Sequence, residues 1–257
     1  MVMKKKEANN KNILGMRVDT TSYRDAARQI IKWAVSGENR YVCVANVHMV
    51  MEAYEDATLR KIVNQADLVV PDGMPLVWML RRLGHSLEDR VYGPTLVLRV
   101  LEAASRQCIP MGFYGGAPDV LAQLLKNIQN RYKNIQTAYR FSPPFRELTL
   151  EEDKAIVQNI EASQTRILFV GLGCPKQEKW MAAHVDRIQA VMVGVGAAFD
   201  FHAGKIRQAP KLLQDYGMEW MFRLIIEPGR LWKRYLTNNP RFAVLAIKEL
   251  ARKNGEA

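Results

Sequence analysis

Short, nearly unbroken apolar runs alternate along this chain with longer stretches in which apolar positions recur at three- and four-residue spacing. The runs predict strands at 13–19 (ILGMRVD), 41–46 (YVCVAN), 68–70 (LVV), 109–116 (IPMGFYGG), 135–145 (a strand, then a loop), 166–173 (RILFVGLG) and 190–201 (AVMVGVGAAFDF, a strand and loop). The spaced patterns predict helices at 22–37, 47–66, 95–107, 118–132, 150–163 and 175–188, and an apolar helix after Pro71-Asp72-Gly73. Strands apolar on both faces, alternating with helices, predict an α/β fold: a mostly parallel, Rossmann-like sheet covered by helices on both sides. Residues 13–204 make up this domain, and 205–257 form a helical, basic appendage. No internal repeat or low-complexity tract interrupts the pattern.

Composition narrows the class. The chain has 257 residues, 48% of them apolar, which is enough for one large core. Cys43, Cys108 and Cys174 are few, odd in number and far apart, which suits a reducing cytoplasm better than a disulfide framework. The N-terminal MVMKKKEANNKN is basic, but no apolar segment of a signal peptide follows it. No apolar run approaches the roughly 20 residues of a membrane span, so the expectation is a soluble or peripheral cytoplasmic protein. The net charge is +11, and residues 205–257, with 11 Lys/Arg against 5 Asp/Glu, carry +6 of it. Such a tail suits nucleic acid, an anionic membrane or a phosphorylated substrate; a solvated basic face is the plainer reading.

Candidate chemistry gathers at strand ends, where ligands of parallel sheets bind. Asn46 ends one strand and is either a helix N-cap or a site residue. His48, just beyond it, reads as a packed or half-buried histidine. Asp72 stands where a buried strand hands over to a buried helix. If Pro75 opens that helix with Met74 as its cap, Asp72 is free to face the crevice as a catalytic base, with Gly73 giving the turn its freedom; a plain turn former is the alternative. A nearby helix N-terminus lowers a carboxylate's pKa, whereas burial raises it. Gly115-Gly116 lets backbone approach a ligand ahead of a helix N-terminus, or else makes a tight turn. In GLGCPKQEKW, Gly171 and Gly173 begin a dinucleotide fingerprint that fails at Lys176, and the segment is not a Walker A loop. With Pro175 at the first helical position, Gln177 lies within reach of a phosphate or base, while Glu178 suits the helix dipole without any ligand. Asp200 is a second carboxylate at a strand end, for orienting a partner or binding substrate.

No D-x-D or H-E-x-x-H occurs, and the four histidines are scattered, so neither a metal nor another cofactor is expected. Arginines stand in their place. Arg223, Arg230 and Arg234 fall on one helical stripe that Pro228-Gly229 is expected to break into a clamp suited to phosphate. Trp220, Phe222, Trp232 and Tyr235 around them suit a membrane interface, an apolar chain or a docked hairpin equally.

The ordered segments VANVHMVMEA, ADLVVPDGMPLV, GLGCPKQEKWM, GVGAAFDFHAGKIRQAP and EWMFRLIIEPGRLWKRYL resemble the WecG/TagA/CpsF family of bacterial glycosyltransferases, over about residues 13–250. The resemblance implies an inverting transferase of cell-surface polysaccharide assembly. It would move N-acetylmannosamine or a related sugar from a UDP donor to an undecaprenyl-diphosphate-linked saccharide at the cytoplasmic membrane face. It implies Asp72 as base, Asn46 and Gln177 as donor-side residues, and Arg223, Arg230 and Arg234 as a diphosphate clamp. Where many members have Thr-Pro-Asn, this chain has Val44-Ala45-Asn46, so one hydroxyl is missing. Self-association is compatible with these features. Two other classes compete: a non-enzymatic basic nucleic-acid-binding module, which gives no reason for PDG or PKQE, and a nucleotide-dependent oxidoreductase, against which the broken fingerprint counts.

Overall fold

The computed structural model describes residues 10–85 and 90–255; most of the basic N-terminal run, and with it the signal-peptide question, lies outside them. The chain opens with a hairpin, β1 (Asn10–Ile13) and β2 (Met16–Asp19), turning on Leu14 and Gly15, both at positive φ. Two positive-φ residues match a hairpin turn to the twist of its strands. The single strand expected over 13–19 is therefore a turn and a second strand. Asp19 fastens it to the main sheet by accepting the Val69 N–H at 2.8 Å, and Arg17 pairs with Asp19 at 2.8 Å.

Then follow α1 (Tyr23–Val35), capped by the Ser22 hydroxyl, β3 (Arg40–Ala45), α2 (Val47–Glu55), α3 (Ala57–Gln65), β4 (Leu68–Pro71), α4 (Met74–Arg82), α5 (Gly93–Arg106) and β5 (Met111–Gly115). The helix expected over 47–66 is split at Asp56, which ends α2 and caps α3 by accepting the Thr58 and Leu59 N–H groups. The rest of the domain is α6 (Pro118–Arg131), β6 (Thr137–Phe141), α7 (Leu150–Ala162), β7 (Ile167–Gly171), α8 (Lys176–His184), β8 (Val191–Gly194) and the short α9 (Ala198–His202), where a loop was expected.

The six strands from β3 to β8 form one parallel sheet in the order β4-β3-β8-β7-β5-β6. Strand alternation divides the core in two. Tyr41, Cys43 and Ala45 of β3, with Leu168, Val170 and Met192, pack beneath α2, α3, α7 and α8. Val42, Val44, Phe113, Ile167, Phe169 and Val193 pack on the opposite face with α1, α5, α6 and α9. Both faces of the central strands are buried, which is why their sequences read as unbroken apolar runs.

Beyond Gly204 come α10 (Lys211–Asp215), α11 (Glu219–Ile226) and α12 (Pro228–Gly255). Pro228 opens α12, so the break falls where Pro228-Gly229 predicts it. Phe242 and Ala246 of α12 join the core beside α2, and Leu231 is buried too. This segment arches over the carboxyl ends of the strands and makes two adjoining cavities there.

Candidate active site

The larger cavity, about 1070 Å³, opens at the carboxyl ends of β3, β5, β7 and β8. The smaller, about 400 Å³, runs between α2, α4, α11 and α12. Asn46, Asp72, Arg223 and Arg234 line both. Gly116, Gly171, Gly173, Gln177, Asp200 and Arg230 line the larger and Gly73 the smaller, while Gly115 lines neither.

Asp72 extends the sheet by one bond, its N–H donating to Ala45 O at 2.8 Å. The helix behind it starts one residue earlier than expected: Gly73 is the cap position, Met74 is already helical and Pro75 is second. Asp72 does not cap that helix. Its Oδ1 accepts the Gly93 N–H at 2.6 Å, tying the strand end to the start of α5. Burial pushes its pKa up to about 6, with a further push from Glu219, against the attraction of Arg90, the Gly93 N–H and Arg223. A carboxylate so tuned is mostly ionised near neutrality yet basic enough to take a proton. Asn46 caps α2 through Oδ1, which accepts the Met49 N–H at 3.2 Å, so the cap role and the place in the cleft coexist. His48 is half-buried, 3.1 Å from Asn238 of α12; burial and the nearby Arg234 hold its pKa down at about 4.

Two charged neighbours of Asp72 escaped the sequence reading. Arg90 is buried with its guanidinium 4.4 Å from the Tyr92 ring centre, and it pairs with Glu219 of α11 at 2.8 Å. The available signal was an arginine at the end of the charged run Glu88-Asp89-Arg90, leading into the apolar Val91-Tyr92-Gly93-Pro94.

The glycine segments need a different reading. Gly115 has φ of 120°, and a Cβ there would stand 2.5 Å from Gly171 O; one on Gly171 would stand 2.7 Å from the Phe199 ring. The Gly116 N–H donates to Gly171 O at 3.1 Å. The close backbone approach expected for a ligand is thus between β5 and β7, and the glycines are required by packing. Gly173, at φ 79°, faces open space within the cleft.

Gln177 is buried, and Pro175 is the cap position rather than the first helical residue. The Gln177 amide oxygen accepts the N–H groups of Gly173 and Gly196, at 3.2 and 3.0 Å, and its nitrogen donates to Glu178 at 2.8 Å. Its geometry joins the loops after β7 and β8. Contact with a ligand leaves these bonds intact only through the second N–H of the amide. Glu178 stands in the first turn of α8, where a carboxylate suits the helix dipole, but it is fully buried and burial raises its pKa. Asp200 lies within α9 rather than at a strand end, its pKa raised by burial against the pull of Arg230 and Lys205.

The three arginines converge from both sides of the α11–α12 break. Arg223 and Arg230 share Glu227, at 3.3 and 2.8 Å, and Arg223 also lies 5.3 Å from the Phe201 ring centre. Arg234 makes no ion pair among the described residues, and its Nε has no partner. Burial lowers its pKa, with Arg223 and Arg230 adding like charge. A half-buried guanidinium without a carboxylate, beside two others, has the chemistry to bind an anion. The wall of the smaller cavity away from these charges is apolar: Trp78, Met79, Phe242, Ala243, Ala246, Ile247 and Leu250. Among the described residues, no three His, Cys, Asp or Glu gather as metal ligands, and no helix is long and apolar enough to cross a membrane.

The chain is similar in sequence to known enzymes. The chain is 28% identical over 209 residues to the N-acetylglucosaminyldiphosphoundecaprenol N-acetyl-beta-D-mannosaminyltransferase of Bacillus spizizenii, covering 81% of this chain and 79% of that one. It is 29% identical over 226 residues to the enzyme of the same name from Staphylococcus aureus, covering 87% and 85%. The family model for the WecG/TagA/CpsF glycosyl transferases matches residues 11–256. With cleft, carboxylate and arginines in a sheet of this topology, the chain belongs to the WecG/TagA/CpsF glycosyl transferase family.

Proposed function

We propose that this glycosyltransferase moves an N-acetylmannosamine-like sugar from a UDP donor to an undecaprenyl-diphosphate-linked saccharide, with inversion and without a metal, in cell-surface polysaccharide synthesis. The observation that carries the reading is the position of Asp72 at the junction of two cavities, with Arg223 and Arg234 lining both. The relatives' names specify an N-acetylglucosaminyl-diphospho-undecaprenol acceptor and an N-acetylmannosaminyl donor group. Membership of a glycosyl transferase family displaces the nucleic-acid module and the oxidoreductase.

In this reading the larger cleft holds the UDP-sugar and the smaller cavity the acceptor. The acceptor's diphosphate meets Arg234, and its first isoprene units lie along Trp78, Ala243 and Ile247. Asp72 takes the proton from the acceptor hydroxyl as that oxygen bonds to the anomeric carbon. The bond from that carbon to the diphosphate breaks on the opposite face, and UDP leaves with the electron pair. One displacement with one base gives inversion. Arginines brought in by the 205–257 appendage offset the growing charge on the leaving group. Asn46 and Gln177 act on the donor side, with Gln177 holding the loops that frame it.

The appendage also meets the cytoplasmic membrane surface. Ile225 (77% exposed), Leu236 (60%) and Trp232 (54%) are exposed on α11 and α12, and α12 also carries the exposed Arg230 and Lys233. Apolar side chains among basic ones suit an anionic leaflet. The test is a panel of UDP-sugars with a lipid-diphosphate-linked N-acetylglucosamine, scored by product mass. A disaccharide product from UDP-N-acetylmannosamine supports the reading, and no product from any UDP-sugar refutes it.

A further inference from the structure

Arg90 lines the smaller cavity together with Asp72, and its positive charge holds the Asp72 pKa down against burial. A buried arginine beside a carboxylate would ordinarily close on it as an ion pair, and a base held that way is a poor proton acceptor. Arg90 is bound elsewhere. Its Nη1 lies 2.8 Å from Glu219 Oε2, with the two side chains only 9% and 10% exposed. Its Nη2 donates to Gln214 Oε1 at 3.1 Å, and Gln214 is itself fixed by donating to Ala209 O at 2.7 Å. Glu219 and Gln214 both belong to the segment beyond Gly204, so groups of the appendage reach across to hold a cation that lines the same cavity as Asp72.

We infer that Glu219 is a positioning residue that draws Arg90 away from Asp72, so that the base is left unpaired when the appendage is docked. The inference rests on Asp72 as the base of the proposed transfer. The charged and titratable groups facing Asp72 come from four places: Tyr23 of α1, Arg90 and Tyr92 ahead of α5, Glu219 and Arg223 of α11, and Tyr235 of α12. Arg90 is balanced by Glu219, and Arg223 by Glu227. Losing Glu219 removes the negative charge that faces both Arg90 and Asp72. Glu219 is the only carboxylate of α11, and Glu227 just beyond it is already shared by Arg223 and Arg230.

The experiment follows the Asp72 carboxyl carbon by NMR in the full chain labelled with ¹³C-aspartate, with the signal identified by its absence in Asp72→Asn. Glu219→Gln keeps the shape of the side chain and removes its charge. Its Asp72 midpoint is expected below that of the wild type by about half a unit or more, since a nearby charge moves a carboxyl by roughly that much or further. Glu219→Asp should recover part of the shift. Gln214→Glu, which places a second carboxylate on Arg90, should move the midpoint the other way; it also serves if Glu219→Gln fails to fold. An unchanged midpoint in Glu219→Gln, or a fall in Gln214→Glu, overturns the inference. The titration needs no substrate, so it can be read even if no UDP-sugar proves to be a donor. Conversely, Asp72→Asn inactive with an unmoved midpoint in Glu219→Gln would overturn this coupling alone. In the active enzyme, the acid limb of kcat/KM should move with the NMR midpoint, which mere loss of packing would not produce.

Discussion

Asp72→Asn should make the protein more stable. Burial raises the folded-state pKa of Asp72 from its usual 3.8 to about 6. A folded pKa above the unfolded one means that this group's share of stability is complete below about pH 4 and is lost as pH rises through about 6. The rise is about two units, and at ~1.36 kcal/mol per unit the ionised side chain costs about 3 kcal/mol once fully charged. Asparagine keeps an oxygen for the Gly93 N–H at 2.6 Å and carries no charge to desolvate. The variant should therefore match the wild type near pH 4 and exceed it by about 3 kcal/mol above pH 6.5. For a chain of this size that is about 6–12 °C in Tm. Urea unfolding of both proteins at pH 4, 5, 6 and 7.5 measures the difference directly. No gain at pH 7.5 would refute the reasoning about burial. A gain of equal size at every pH would mean that packing, not charge, is responsible.

Three further outcomes are expected. Transfer should survive EDTA, because among the described residues no three His, Cys, Asp or Glu gather as metal ligands; activity lost to chelator and restored by Mg²⁺ or Mn²⁺ would overturn metal independence. Arg234→Gln should lower transfer by about tenfold or more, the value of one charge-assisted bond of 1.5–3 kcal/mol, whereas the half-exposed Arg230→Ala should cost less; equal losses would remove Arg234 from the centre of the anion site. Ile225→Glu and Trp232→Glu, at side chains facing solvent, should weaken co-sedimentation with anionic liposomes by about tenfold each, from about 1.5 kcal/mol of lost apolar burial, with thermal unfolding unchanged; undiminished sedimentation would place the membrane contact elsewhere.

The sheet was legible in the sequence because its strands are buried on both faces and so read as apolar runs bounded by glycine or a polar residue. Asn46 and Asp72 were legible for the same reason, each being the first polar group after such a run. Pro228 marked its own helix break. The hairpin turn was hidden because Leu14 occupies a left-handed conformation that leucine seldom adopts. Asp56 was hidden because one capping residue between two amphipathic helices barely disturbs their periodicity. The Arg90 cluster depends on contacts between residues 124 apart in the chain, which no local pattern records. The packing around the glycines was hidden: Gly115 is required by its approach to β7 and Gly171, which also lines the cleft, by the Phe199 ring. The Gln177 amide was likewise visible, but not its two bonds to the loop backbones.

The central claim is that Asp72 deprotonates a sugar hydroxyl on a lipid-diphosphate acceptor. The most direct test is the transfer rate of purified Asp72→Asn from UDP-N-acetylmannosamine to lipid-diphosphate-linked N-acetylglucosamine, measured beside its affinity for UDP. Loss of the base should lower the rate by about 10²–10⁴-fold while UDP affinity and folding are retained. Turnover within a few-fold of the wild type would contradict the claim.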